Sequence, residues 1–233
     1  MKLISSKNIG LLIIIILFGI YSIPKIINRL SNENIRDTNR LHQKEALSYL
    51  KIDGKDRKVP DFILTNQDSL FITNDDLLGK VYVLEFFFSR CPDICIEMNR
   101  NMRKLDDKFG DLIDFGIVSI TIDPSHDRPY ILKKYSEDLG VKSQNWHFLT
   151  GDRNYIYDLA NKGFNIYANE NPNFGGGFEH QGYFALIDKQ GYIRSRNDDY
   201  GNPILYYLGI NDQSIDLQGI DMLENDIKKL IDE

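Results

Sequence analysis

The chain is nearly empty of cysteine: Cys91 and Cys95 are the only two among 233 residues. Two thiolates alone cannot complete a structural zinc site, which takes four ligands. The chain also lacks a basic block, and its net charge is −6. Nucleic-acid binding needs a concentrated positive face, so that class is disfavoured. No stretch is of low complexity and no internal period repeats. No lipobox-type cysteine is present, which excludes a bacterial lipid anchor. Nor is the leader of the Arg-rich, Ser-rich amphipathic kind that targets mitochondria. With 42% hydrophobic residues, thirteen Tyr and thirteen Phe, the chain can form one well-cored domain with appendages.

Charge is missing from one further place. Seventeen residues from Asn8 to Pro24, "NIGLLIIIILFGIYSIP", carry none. That is the short end of the about 17–25 residues of a membrane span. Lys25 can snorkel, and Ile26 and Ile27 extend the apolar run. A cleaved secretory signal is the alternative, but no small-x-small cleavage site follows, which favours an uncleaved anchor. Lys2 and Lys7 precede the run while Lys25, Arg29 and Arg36 follow it, so the charge rule leaves orientation open. The expected layout is a tail (1–8), a transmembrane anchor (9–27), a polar tether (28–57) with a helix around residues 40–50, and a folded domain (58–233).

The domain opens with two short strands around the turn Asn66-Gln67-Asp68, a hairpin signal. Strands and helices then alternate. "VYVLEFFF" (81–88) is a near-continuous apolar run, as in a strand buried on both faces. A helix is predicted over 92–109, with Pro92 in its first turn and Gly110 past its end. Cys91, Cys95, Met98, Met102, Leu105 and Phe109 form its single apolar stripe. Strands at 113–123 and 146–151 alternate with helices at 129–140 and 153–163; strands at 182–188 and 191–198 and a closing helix from 215 follow. This pattern predicts an α/β fold with a central mixed sheet flanked by helices.

The two cysteines sit at a predicted helix start, after a buried strand, where open α/β sheets place their ligand sites. Unpaired N–H groups and the helix dipole there favour thiolate. Spacing of i, i+4 on a helix points both sulfurs one way. They then suit a soft metal ion, a disulfide, or burial in the core, since free cysteine is often buried. Two thiolates with one imidazole match copper. Of the four histidines, His42 is in the tether, His147 within an apolar strand, and His126 in a loop after a strand. His180 is the best candidate, beside Gly175-Gly176-Gly177, which would let its loop swing.

At these residues the chain resembles the Sco/SenC copper-binding proteins. "CPDIC" looks like the family's Cys-x-x-x-Cys motif, "TIDPSHDRP" (121–129) its Asp-Pro…Asp-x-Pro stretch, and "FEHQGYFALID" (178–188) the segment with its ligand histidine. The likeness covers roughly residues 58–233. It implies a thioredoxin-like fold behind a membrane anchor. It implies copper, as Cu(I) and also Cu(II), held by Cys91, Cys95 and His180, with Cys91 and Cys95 also forming a redox disulfide. It implies delivery to the dinuclear copper centre of cytochrome c oxidase. The partners would be the copper-receiving oxidase subunit, a copper donor or thiol reductant, and the membrane. The domain would lie on the periplasmic side of the inner membrane. Family members often have Pro where this chain has Ile96, and Asp where it has Glu179; neither departure removes a ligand.

A metallochaperone, not an enzyme, is therefore the leading expectation. The alternative is a thiol–disulfide oxidoreductase acting on the cysteines of a copper-site partner. General reductases resemble one another in a Cys-x-x-Cys pair and a nearby proline, and here Glu179-His180-Gln181 occupies the proline's place. The threonine-containing motif of thioredoxin-like peroxidases is absent, since "FFSRC" stands there.

Overall fold

The computed structural model describes residues 17–24, 46–198, 200–212, 214 and 217–233. Residues 17–24 are helical (α1) and mostly exposed. The rest of the expected anchor, and the tether up to residue 45, lie outside the described residues. Among the described residues, no helix is long and apolar enough to cross a membrane.

Ala46–Glu233 form one compact unit. Its strands begin inside the expected tether, with β1 (Ser48–Tyr49), β2 (Lys51–Ile52) and β3 (Lys55–Asp56). Residues 46–50 are therefore extended and not helical, and β1 pairs with a strand far along the chain. The expected hairpin is β4 (Ile63–Asn66) and β5 (Phe71–Thr73), followed by a short 3-10 turn. Then come β6 (Val81–Phe87), α2 (Ile94–Phe109), β7 (Phe115–Thr121), α3 (Pro129–Leu139), β8 (Trp146–Thr150) and α4 (Arg153–Asp158). The chain closes with β9 (Ala168–Glu170), β10 (Phe178–His180), β11 (Tyr183–Ile187), β12 (Ile193–Ser195), β13 (Tyr207–Leu208) and α5 (Gly219–Ile231).

The large sheet runs β1-β12-β11-β6-β7-β8-β4-β5, with β13 added beside β11. Its centre, β6-β7-β8, is parallel, and both flanks are antiparallel. Every residue of β6 and β7 is buried, as parallel strands covered on both faces must be. Helix α2 packs on β7, α3 on β8 and β4, and α5 on β6 and β13. The mixed α/β architecture matches the expectation.

Helix ends obey local chemistry. Pro129 opens α3 and Gly140 closes it in the left-handed region (φ 73°). The Asp152 carboxylate caps α4 by accepting from the Tyr155 N–H at 2.9 Å. Helix α4 continues as a π turn over Leu159–Phe164 and stops at left-handed Asn165. Several boundaries differ from expectation: β7 and β12 are shorter than the strands expected at 113–123 and 191–198, and two helices start late. Helix α5 starts at Gly219, later than 215, and α2 starts at Ile94, leaving Cys91 outside it. The β9–β10 pair and β13 were not expected. They are two or three residues long, too short for a period-two pattern to register.

Candidate metal centre

Strand β6 ends at Phe87, and the Cys91 N–H donates back to the Phe88 carbonyl at 3.2 Å. This turn sets Cys91 ahead of α2, while Cys95 is the helix's second residue. The two sulfurs converge because the turn folds onto the helix start, and not because both ride one helix. The ligand atoms of Cys91, Cys95 and His180 lie within 4.8 Å of one another. His180 Nε2 is 3.2 Å from Cys95 Sγ. Cys95 is 1% exposed, His180 9%, and Cys91 is half-buried. Both cysteines are free thiols.

Carboxylates brace the cysteine turn. Buried Asp127 accepts from the Ser89 N–H at 3.0 Å and from the hydroxyls of Ser89 and Thr121. Buried Asp123 pairs with Arg90, next to Cys91. These acids belong to the 121–129 stretch, which the sequence places in a loop without giving its acids a task. A third acid, Glu85, is fully buried below in β6 and accepts from Ser119 at 2.8 Å. An ionisable residue inside an otherwise apolar strand was the readable signal for it.

His180 is held differently. It lies in β10, opposite Ala168 of β9. Gln181 doubles that link, exchanging two hydrogen bonds with Tyr167 at 3.0 and 2.9 Å. His180 Nδ1 is 3.2 Å from the Gln181 carbonyl. A carbonyl only accepts, so Nδ1 donates, and Nε2 is the ring nitrogen turned to the sulfurs. The Phe88 ring meets Phe178 (5.1 Å between centroids) and the edge of His180 (6.0 Å). The glycines serve close packing: a methyl group at Gly175 would sit 2.7 Å from Pro92, and one at Gly176 2.6 Å from the Phe88 ring. The expected swinging loop is thus packed against the cysteine turn.

The thiols divide the proton between them. A hydrogen bond from Cys95 pulls Cys91 down to about 4, helped by His180. Burial pushes Cys95 up, and the neighbouring Cys91 thiolate adds to it. Thiolate is therefore favoured at Cys91 alone, because desolvation outweighs the helix start at Cys95. Burial also pushes Glu85 up to about 8. Two other histidines stand apart from the cluster. His126 sits in the turn after β7 and donates its N–H to the Asp123 carbonyl at 3.1 Å. His147 is on β8, where burial lowers its basicity. His42 lies outside the described residues.

The sequence matches the SCO1/SenC family over residues 51–208, more than half of its length. The chain belongs to the SCO1/SenC family. It is 32% identical over 138 residues to a SCO1 protein homolog of Bacillus subtilis, covering 58% of this chain and 71% of that one. Among solved structures, a SCO1/SenC family lipoprotein from Bacillus anthracis superposes with a TM-score of 0.63 at 28% identity, covering 75% of this chain and 95% of that one. BsSco, a member of the Sco family of cytochrome c oxidase assembly proteins described with a disulfide switch, gives 0.60 at 28% identity, covering 75% and 93%. The thioredoxin-like fold implied by the Sco resemblance is thereby shown.

Proposed function

We propose that this chain is a membrane-anchored copper chaperone that helps build the dinuclear copper centre of a terminal oxidase. The observation that carries the reading is the convergence of Cys91, Cys95 and His180 within 4.8 Å. Two soft thiolates suit Cu(I), and the imidazole adds a ligand acceptable to Cu(II). Copper is cargo here. The Cys91 thiolate, the more exposed sulfur, meets the ion first. Cys95 gives up its proton as it takes hold, so affinity should rise with pH. Ligand exchange then passes the ion to the copper-receiving subunit, with docking supplying specificity. The apolar run before residue 25 supports anchoring in the inner membrane, and the copper and thiol chemistry of the site supports placing the domain on the periplasmic side. BsSco's place among oxidase assembly proteins supports the partner.

The test is anaerobic titration of the reduced full chain, read by absorption and mass. One Cu(I) per chain is expected, and Cys91→Ala or Cys95→Ala should abolish tight binding. His180→Ala should keep Cu(I), more weakly, and lose the Cu(II) spectrum. Parent-like binding in both cysteine variants would sink the reading.

A second reading has its own support: two adjacent free thiols, one a thiolate, can reduce a partner's disulfide. On that reading Cys91 attacks one partner sulfur and releases the other as a thiol. Cys95 then attacks the Cys91 sulfur of the mixed disulfide and releases the second partner sulfur, also as a thiol, leaving Cys91–Cys95 oxidised. Insulin reduction as fast as that of a true thioredoxin would favour this alternative.

A further inference from the structure

We infer that residues 207–211 form a strap positioning His180 against the cysteines, with Asn101 as its fastening on the cysteine helix; the inference rests on the copper reading above. Strand β13 pairs with the start of β11, Tyr183 opposite Leu208 and Phe184 opposite Tyr207. The Gly209 N–H then donates to the Gly182 carbonyl at 2.8 Å, two residues beyond His180. The same glycine faces α2: buried Asn101 donates its side-chain amide to the Gly209 carbonyl at 2.8 Å. Next, the Asn211 N–H donates to the Glu97 carboxylate at 3.1 Å. One short segment thus bonds both to the chain leaving His180 and to the helix carrying Cys95.

The approach is close. A methyl group at Gly209 would come 2.9 Å from the Phe184 ring, and one at Gly182 within 3.6 Å of Met98 and 3.9 Å of Ile210. The strap's near end is strained. Leu205 adopts φ 67°, and the Tyr206 N–H donates to the Ile204 carbonyl across it at 2.9 Å. A leucine in the left-handed region persists only where its surroundings over-determine it. The Tyr206 hydroxyl donates to the Phe164 carbonyl, and the Tyr207 hydroxyl to buried Asp226 at 2.9 Å. Both anchors hold the strap taut ahead of Gly209.

Freeing the strap from α2 should loosen the imidazole relative to the sulfurs. Cu(I) tolerates that, since two thiolates still hold it, whereas Cu(II) needs the imidazole. The test compares Asn101→Ala with the parent full chain, titrated with each ion, with electron paramagnetic resonance of the Cu(II) form and thermal melting alongside. Asn101→Ala should weaken Cu(II) about tenfold at most, the low end of what losing a direct partner of a metal ligand does, and shift its resonance, while Cu(I) affinity stays near the parent's. Asn101→Asp, of the same shape but without the donor, should reproduce this. An unchanged Cu(II) resonance, or equal loss for both ions, overturns the strap. Should Asn101→Ala fail to fold, Glu97→Ala decides by the same readout. A parent that binds neither ion sinks the copper reading itself; a parent that binds both beside an indifferent variant sinks only the strap.

Discussion

The two sides of the metal centre are built from different materials. The cysteine side rests on acids: Asp127 under Ser89, Asp123 on Arg90, and Glu85 buried below. The histidine side rests on shape: a short strand pair, two glycines against Pro92 and Phe88, and aromatic contacts. The acid braces fix position through directional bonds in a low-dielectric site, and buried Glu85 among them answers to pH. Packed braces do not titrate, but one added methyl group is felt. A change of pH should therefore move the cysteine side and spare the other, and a small steric change should do the reverse.

The largest expected effect comes from Glu85. One of its oxygens accepts from Ser119, and the other is buried without a partner. Its pKa is raised from 4.5 to about 8. The folded value lies above the unfolded one, so the stabilisation is complete below about pH 4.5 and is lost as pH rises through about 8. Inside that window the loss runs at roughly 1.4 kcal/mol per pH unit. Glu85→Gln cannot ionise and should flatten that slope. Its unmatched amide shifts the absolute stability, so slopes are compared. Urea unfolding of both proteins from pH 5 to pH 8.5 measures this, and parallel profiles would break the acid half of the comparison.

Asp127 comes next. Asp127→Ala leaves the Ser89 N–H and two hydroxyls without their acceptor. Hydrogen bonds to a charged group contribute about 1.5–3 kcal/mol, so a loss of about 2–3 kcal/mol is expected in denaturant unfolding. Amide exchange should quicken at Ser89 and Cys91 and stay unchanged at Gln181. Equal quickening at both places would show that the two sides are one unit.

Much of the cysteine side was legible in the sequence, and the reason is length. Strand β6 and helix α2 are long enough for burial on both faces and a 3.6-residue stripe to register. The cysteine pair stood out as the only one. The histidine side carries no such signal: "ANE" and "FEH" pair as strands only because tertiary structure brings them together. His180 was singled out by its place beside the glycine run, and its role as a ligand came from the resemblance to the Sco segment and not from spacing. The glycine run was read as freedom because sequence shows the missing side chains but not the Phe88 ring that fills their place. Likewise, i, i+4 spacing does not reveal that α2 begins only at Ile94, which moves Cys91 into a turn. The strap escaped because its fastening joins residues 101 and 209 through one amide.

The smallest effect separates packing from backbone strain on the histidine side. Gly176 (φ 79°) and Gly177 (φ 88°) both lie in the left-handed region. Alanine at either position carries a backbone cost of about 1–2 kcal/mol. They differ in surroundings: a methyl group at Gly176 meets the Phe88 ring at 2.6 Å, while at Gly177 nothing lies within 4 Å. Gly177→Ala should therefore show the backbone cost alone. Gly176→Ala should add about 1 kcal/mol of overpacking and push Phe88, which touches Phe178 and His180. The displaced ring should shift the His180 side-chain resonances and leave the thiolate absorption of Cys91 where it was. Stability comes from denaturant unfolding, and the ring shift from nuclear magnetic resonance of the imidazole protons. Equal costs for the two variants, with an unmoved imidazole, would mean that the glycines serve the turn alone and that His180 owes its place to the β9 pairing and the strap.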